Sequence, residues 1–264
     1  MIEAYLHDWA SLLLRWAHLV TGIAWIGASF YFNWLENHLQ RQQQEPGIAG
    51  DLWAVHGGGF YYLKKFAVAP EALPPALHWF KWEAYATWLT GFALLAVVYY
   101  WNAPAYLLEA SGADAGIGLA IAAGLGALLA SWLVYDLLCR SPLAAREVLL
   151  GGLIAAWFLL LAWLLDLLMS GRAAYIHVGA AIGTVMVANV FRVIIPAQKE
   201  LVRAVEEGRS PDARKGARAL QRSRHNNYFT LPVLFIMISN HFPSTYGSQY
   251  NWLILAGIAM LAVL

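Results

Sequence analysis

Between Ala115 and Leu138 the chain carries one charged residue, Asp136, and between Val148 and Met169 again only one, Asp166. A helix needs about 20 mostly apolar residues to cross the ~30 Å hydrocarbon layer of a bilayer. Inside that layer only closed structures such as helices satisfy their own backbone polar groups. Comparable apolar runs cover Trp9–Trp34, His78–Trp101 and Ala173–Pro196, with shorter ones at Tyr228–Asn240 and Asn251–Leu264. The expected fold is all-α: a polytopic transmembrane helix bundle of about seven spans, forming a single integral membrane domain over residues 1–264. Composition agrees, being 60% hydrophobic and 12% charged, where soluble domains are about a quarter charged.

Charge then orients the chain. Cytoplasmic loops of membrane proteins carry an excess of Lys and Arg. With the N-terminus outside, the inner loops are Glu36–Leu77, Cys139–Glu147 and Gln198–Asn227. They hold Lys64, Lys65, Arg140, Arg146 and the basic segment Gln198–Arg224, in which eight Lys/Arg face four Asp/Glu. The outer loops, Asn102–Asp114, Ser170–Arg172 and His241–Tyr250, carry only Arg172. A net charge of +1 gives no field for nucleic acid. The single Cys139 excludes an internal disulfide and a CxxCH haem attachment within these residues. MIEAYLHDW has no basic stretch and no cleavage site, so it reads as mature sequence and not as a signal peptide.

Eight histidines sort by this orientation. His7, His18, His177 and His241 fall toward the outer face; His38, His56, His78 and His225 fall toward the inner one. His18 lies about two turns into the first span and His177 about one turn into the fifth, at ~1.5 Å per residue. The two depths suit one shared ligand, with His241 near the same level. Haem b is the leading expectation, because two imidazoles from facing helices can ligate its iron axially. A metal centre held by His18, His177 and His241 is the second, and hydrogen bonds to neighbouring carbonyls are the third. In the first span Arg15, His18, Gly22, Trp25, Ser29 and Asn33 share one helix face.

The inner face gathers a different set. WAVHGGGFYYLKKF places His56 before three glycines, which permit close approach of backbone to a ligand. LPPALHWFKWEAY adds His78, Lys81, Trp82 and Glu83, and SRHNNY adds His225, Asn226 and Asn227. An aromatic, basic and amide-lined mouth suits a flat, anionic, hydrogen-bonding molecule. An aromatic belt with snorkelling Lys accounts for much of the same pattern. Glu83 fits a belt least, since an ionisable group at membrane depth needs a partner, a proton or a role.

Four separated stretches, RWAHLVTGIAWIGASFYFNWLE, HGGGFYYLKK, LHWFKWEAYATWLTGF and RHNNYFTLPVLFIMISNHFP, resemble the membrane domain of the bacterial cytochrome-c-linked urate oxidases. The resemblance runs over nearly the whole chain. It implies about eight spans followed by a periplasmic cytochrome domain carrying haem c. The present residues stop in the seventh span, so a fragment or a separate cytochrome is expected. It further implies a bacterial inner-membrane enzyme that oxidises urate to 5-hydroxyisourate with oxygen from water and passes electrons to a c-type cytochrome; in such a membrane the charge asymmetry makes the N-terminus periplasmic. The expected partners are urate, that cytochrome and membrane lipid. Within this frame the physical reading puts Glu83, His78 and His225 in catalytic roles and His56, Lys81, Trp82 and Asn226 on the substrate. Two other readings stand beside it. One is a di-haem b electron-transfer protein acting on quinone, which leaves the inner polar cluster without a use. The other is a transporter for a purine or small anion, for which paired broken helices would be expected.

Overall fold

A computed structural model of the chain describes residues 2–42, 45–108 and 116–263. Part of the expected outer loop Asn102–Asp114, the first residue of the Ala115–Leu138 span, and Leu264 lie outside the described residues.

The chain opens with α1 (Ile2–His38). At ~1.5 Å per residue its 37 residues extend about 55 Å, well beyond one hydrocarbon layer. A β-hairpin follows, β1 (Ile48–His56) and β2 (Gly59–Phe66). Next comes α2 (Trp82–Leu95), continued by a π-helical segment, Ala96–Tyr100, and the short α3 (Ala103–Tyr106). The bundle is completed by α4 (Ile117–Arg140), α5 (Glu147–Asp166) and α6 (Gly171–Asn189). A second π segment, Val190–Ile194, joins α6 to α7 (Ile195–Glu206). Last are α8 (Ala213–Ser239), the single turn α9 (Pro243–Tyr246) and α10 (Asn251–Val263).

All seven expected segments are helical. Among the described residues four helices are long and apolar enough to cross a membrane: Ile2–His38, Ile117–Arg140, Glu147–Asp166 and the continuous Gly171–Glu206. The other three differ in kind. α2 reaches its full length only with its π segment, α8 is polar in its first half, and α10 has 13 residues.

The core centres on α6. Twelve of its 19 residues are buried, many of them Gly, Ala or Val. Small side chains let neighbouring backbones close in, the usual basis of helix packing where lipid supplies no hydrophobic drive. Gly179 meets Ile236 of α8, and Gly124 of α4 meets His177 of α6. α4, α5, α8 and α2 all pack on α6. α1 lies at the edge along α2, with no residue fully buried. Its outward face exposes Leu6, Trp9, Leu13, Trp16, Val20 and Ile23. Of the expected stripe, His18, Gly22, Trp25 and Ser29 face inward, while Arg15 and Asn33 are exposed.

Two of the inner connecting segments carry regular structure. The glycine-rich stretch at His56 is the turn of a β-hairpin. Trp53 pairs with Tyr62, Val55 with Phe60 and His56 with Gly59 across an antiparallel ladder. Gly57 and Gly58 form the turn between them, with φ of 58° and 79°. Two consecutive positive φ values are what a two-residue primed turn requires, and glycine adopts them without steric cost. The basic segment Gln198–Arg224 is likewise regular. It is the end of α7, a turn at Gly208, and the start of α8, where the Asp212 side chain accepts the Arg214 N–H at 2.9 Å. Ala204 and Ala219 bury one face of each helix.

Candidate functional site

The outer histidines come first. His18 projects from α1 into α2, its Nδ1 3.0 Å from the Thr87 carbonyl and 3.2 Å from the Thr90 hydroxyl, with its ring edge against Gly91. His177 is wholly buried. Its Nδ1 donates to the Ala173 carbonyl at 2.8 Å, and its Nε2 lies 3.0 Å from the Tyr100 hydroxyl. A carbonyl only accepts, so Nδ1 carries the proton and Nε2 accepts from Tyr100. His241 is exposed. Both His177 ring nitrogens are thus engaged by protein, and the Gly124 backbone packs against the ring edge that carries Nε2. Among the described residues no group of three or more His, Cys, Asp or Glu is placed to hold a metal ion. His18, His177 and His241 in this packing do not fit a shared haem b or metal. Hydrogen bonding accounts for the first two.

The inner residues divide into two groups, both leaning on α6 and its π segment. At the start of α2, His78 Nε2 is 3.8 Å from Glu83 Oε1, and His78 stacks edge-on to Phe80 at 4.5 Å. The Lys81 ammonium lies 5.6 Å from the Trp82 ring centre. His78 and Trp82 are exposed, while the Glu83 side chain is 25% exposed. Glu83 Oε2 is buried without a hydrogen-bond partner. Buried acceptors are rarely left unpaired, so this oxygen is available to a ligand N–H or a proton. The adjacent Ala84 clusters with Val190 of the π segment and Ile195 at the start of α7.

The second group crosses α4, α6 and α8. Asn226 is buried, its Nδ2 donating to the Met186 carbonyl at 2.9 Å and its Oδ1 accepting from Asn189 Nδ2 at 2.9 Å. Asn189 Nδ2 also donates to the Tyr135 hydroxyl at 3.0 Å, and Tyr135 lies 2.8 Å from His225 Nδ1. Arg222, buried on α8, donates to Asn189 Oδ1 at 3.3 Å and to Asp136 Oδ1 at 2.7 Å. Its guanidinium stands 4.8 Å over the Tyr135 ring. Arg140 closes on the other Asp136 oxygen at 2.7 Å. Near this group, Asn227 Oδ1 is buried without a partner.

The structure thus brings His78 to Glu83, sets Lys81 against Trp82, and ties His225 and Asn226 into one network. His56 stands apart at the tip of the hairpin, exposed, with no hydrogen bond or ion pair to the others among the described residues. Asn226 makes one hydrogen bond from each end of its amide to protein. Sequence reasoning missed Tyr135, Asn189 and Arg222. A sign was present in Asn189, an amide within an apolar span, and in Asp136, both polar groups at depth that demand partners.

The fold is a multi-helix bundle with helices of membrane-spanning length and a polar network at one end. This chain belongs to the urate oxidase N-terminal family, which matches residues 4–264. No curated protein and no solved structure gives a significant match.

Proposed function

We propose that the protein is a membrane-bound urate oxidase that converts urate to 5-hydroxyisourate and passes the electrons to a c-type cytochrome. The observation that carries this reading is the family match over residues 4–264. The reaction balances as urate plus water giving 5-hydroxyisourate, two protons and two electrons. Two ferric cytochromes each take one electron, so no dioxygen is consumed and no peroxide is formed. Purine breakdown inside and a cytochrome outside require a protein with an inner substrate site. The Lys/Arg asymmetry supports an orientation in a bacterial inner membrane with the N-terminus periplasmic and the α2 start, the hairpin and the α7–α8 turn cytoplasmic.

At that inner site Glu83 is the proton acceptor. Its Oε2 has no protein partner, and His78 at 3.8 Å is placed to take the proton onward. Lys81 and Trp82 supply a cation and an aromatic wall for a planar anion.

The test uses the full chain in lipid nanodiscs with urate and either ferricytochrome c or ferricyanide. The expected result is loss of urate absorbance matched by acceptor reduction, with heavy oxygen from labelled water in the product. Peroxide formed in step with urate loss, or no urate loss with any acceptor, overturns the reading. Glu83→Gln should abolish most turnover with expression and urate binding retained. General acid–base catalysis contributes about 10²–10⁴-fold, and an unchanged rate removes Glu83 from the chemistry.

A further inference from the structure

The hydrogen bonds around Asn189 run in one direction only, and that direction ends on His225. Arg222 can donate but not accept, so the Asn189 atom it meets at 3.3 Å must be oxygen. The other end of Asn189 is therefore the NH₂. The Met186 carbonyl can only accept, so Asn226 turns its own NH₂ to it and its oxygen to Asn189. The two amides are mutually consistent, and neither can flip without setting donor against donor. One N–H of Asn189 is spent on Asn226, and the other points at the Tyr135 oxygen at 3.0 Å. Tyr135 is 1% exposed, so its own proton must find an acceptor within the protein. His225 Nδ1 at 2.8 Å is that acceptor. Cys139 Sγ, at 3.8 Å from the same nitrogen, is a second, weaker donor toward it. The consequence is a neutral imidazole with its proton on Nε2. Protonating Nδ1 as well would leave the buried phenol without an acceptor and add positive charge one helical turn from Arg222. Nε2 has no hydrogen-bond partner among the described residues and is not among the buried atoms that lack one, so it is not sealed inside the protein.

We infer that Asn189 and Tyr135 are positioning residues that lock His225 as an Nε2–H donor, and that this N–H binds a carbonyl oxygen of urate during hydroxylation. The inference rests on the reading of the chain as a urate oxidase for its ligand, while the lock itself rests on the network alone. The role differs from that of a base. A His225 fixed in this tautomer has no free lone pair to take a proton at Nε2. Once two electrons have left urate for the cytochromes, water adds to the oxidised ring and loses a proton to the base, and the His225 N–H donates to the carbonyl oxygen on which negative charge collects in that addition. Arg222 and Asp136 act one step further back, by fixing which end of Asn189 faces Tyr135.

Two readouts test it on the full chain in lipid bilayers. The first is the nitrogen NMR spectrum of ring-labelled histidine, with His225→Gln used to identify the His225 signals by difference. The expected result at neutral pH is a protonated Nε2 and a bare Nδ1. Tyr135→Phe, which keeps the ring and removes the donor, should release the lock and give a mixture of tautomers. A proton on Nδ1 in the unaltered protein, or an unchanged tautomer in Tyr135→Phe, overturns the lock. The second readout is urate turnover. His225→Ala should lower kcat/KM by about 10- to 100-fold, the range for one hydrogen bond to a charged group. His225→Gln, which still offers an N–H, should recover part of it. Equal loss in both variants, or no loss in either, removes His225 from the substrate. If the unaltered protein neither binds nor oxidises urate, the urate reading fails while the tautomer result still decides the lock.

Discussion

Asp136→Asn isolates the most consequential charge pair in the bundle. Asp136 takes Arg222 on one oxygen and Arg140 on the other, each at 2.7 Å. The two arginines are not equivalent, because the Arg222 side chain is 5% exposed and that of Arg140 is 67% exposed. An exposed pair contributes roughly 0–1 kcal/mol, so Arg140 adds little. Removing one partner of a buried pair costs about 3–5 kcal/mol, mostly because the remaining charge is left uncompensated. Here the loss is softened in two ways. The Asn amide oxygen can still accept from Arg222, and Arg222 keeps Asn189 and the Tyr135 ring, the latter worth about 0.5–2 kcal/mol. The expected cost is about 2–3 kcal/mol, or a drop in Tm of roughly 5–10 °C for a chain of this size. The assay is thermal or denaturant unfolding in a mild detergent, run as a cycle with Arg222→Met and the double variant. Coupling should be about 1–3 kcal/mol, with the double variant less destabilised than the sum of the singles. Single variants that each cost under about 0.5 kcal/mol and add simply would refute the placement of this pair in the buried network.

Other outcomes follow from local geometry. Gly124→Ala puts a Cβ 2.6 Å from His177 Cδ2 and 3.0 Å from the Tyr100 hydroxyl; with His177 held at both nitrogens, overpacking should cost about 1–3 kcal/mol, whereas Gly126→Ala, which meets nothing within 4 Å, should be neutral or mildly stabilising in the same unfolding assay. Gly58→Val places a β-branched residue at φ 79° and should cost the hairpin about 1–2 kcal/mol, seen as faster amide exchange across 48–66 with α4 to α6 unaffected. The backbone N–H of Arg214 holds the Asp212 carboxyl below its ordinary range, with a further pull from the charges of Arg214 and Lys215. A lowered pKa means the cap is fully present above the unfolded value of ~3.9 and is lost as pH falls through the folded one. Amide exchange at 213–217, corrected for intrinsic rates, should therefore rise at acid pH in the unaltered protein, rise at all pH in Asp212→Ala, and stay pH-independent in Asp212→Asn.

The long apolar runs decided the helical, membrane-length architecture before any contact was known, because a period and a length are local properties of the chain. Ala115–Leu138 and Val148–Met169 reappear as helices with ends shifted by a few residues, and Ala173–Pro196 lies within the continuous helical run Gly171–Glu206. The hairpin is legible too, since Gly57 and Gly58 between two aromatic β-forming runs signal a two-residue turn. At the site, sequence position placed His78 and Glu83 within reach because they are five residues apart at one helix start. It could not say that His177 has both ring nitrogens occupied, nor that Asn226 is spent on Met186 and Asn189. Partner choice for a polar side chain depends on which helix faces it and at what rotation, and an apolar span carries no local record of either. The tautomer of His225 belongs wholly to tertiary structure. It is set by a chain of donors and acceptors from α8 to α6 to α4 and back, in which each group is oriented by the one before it.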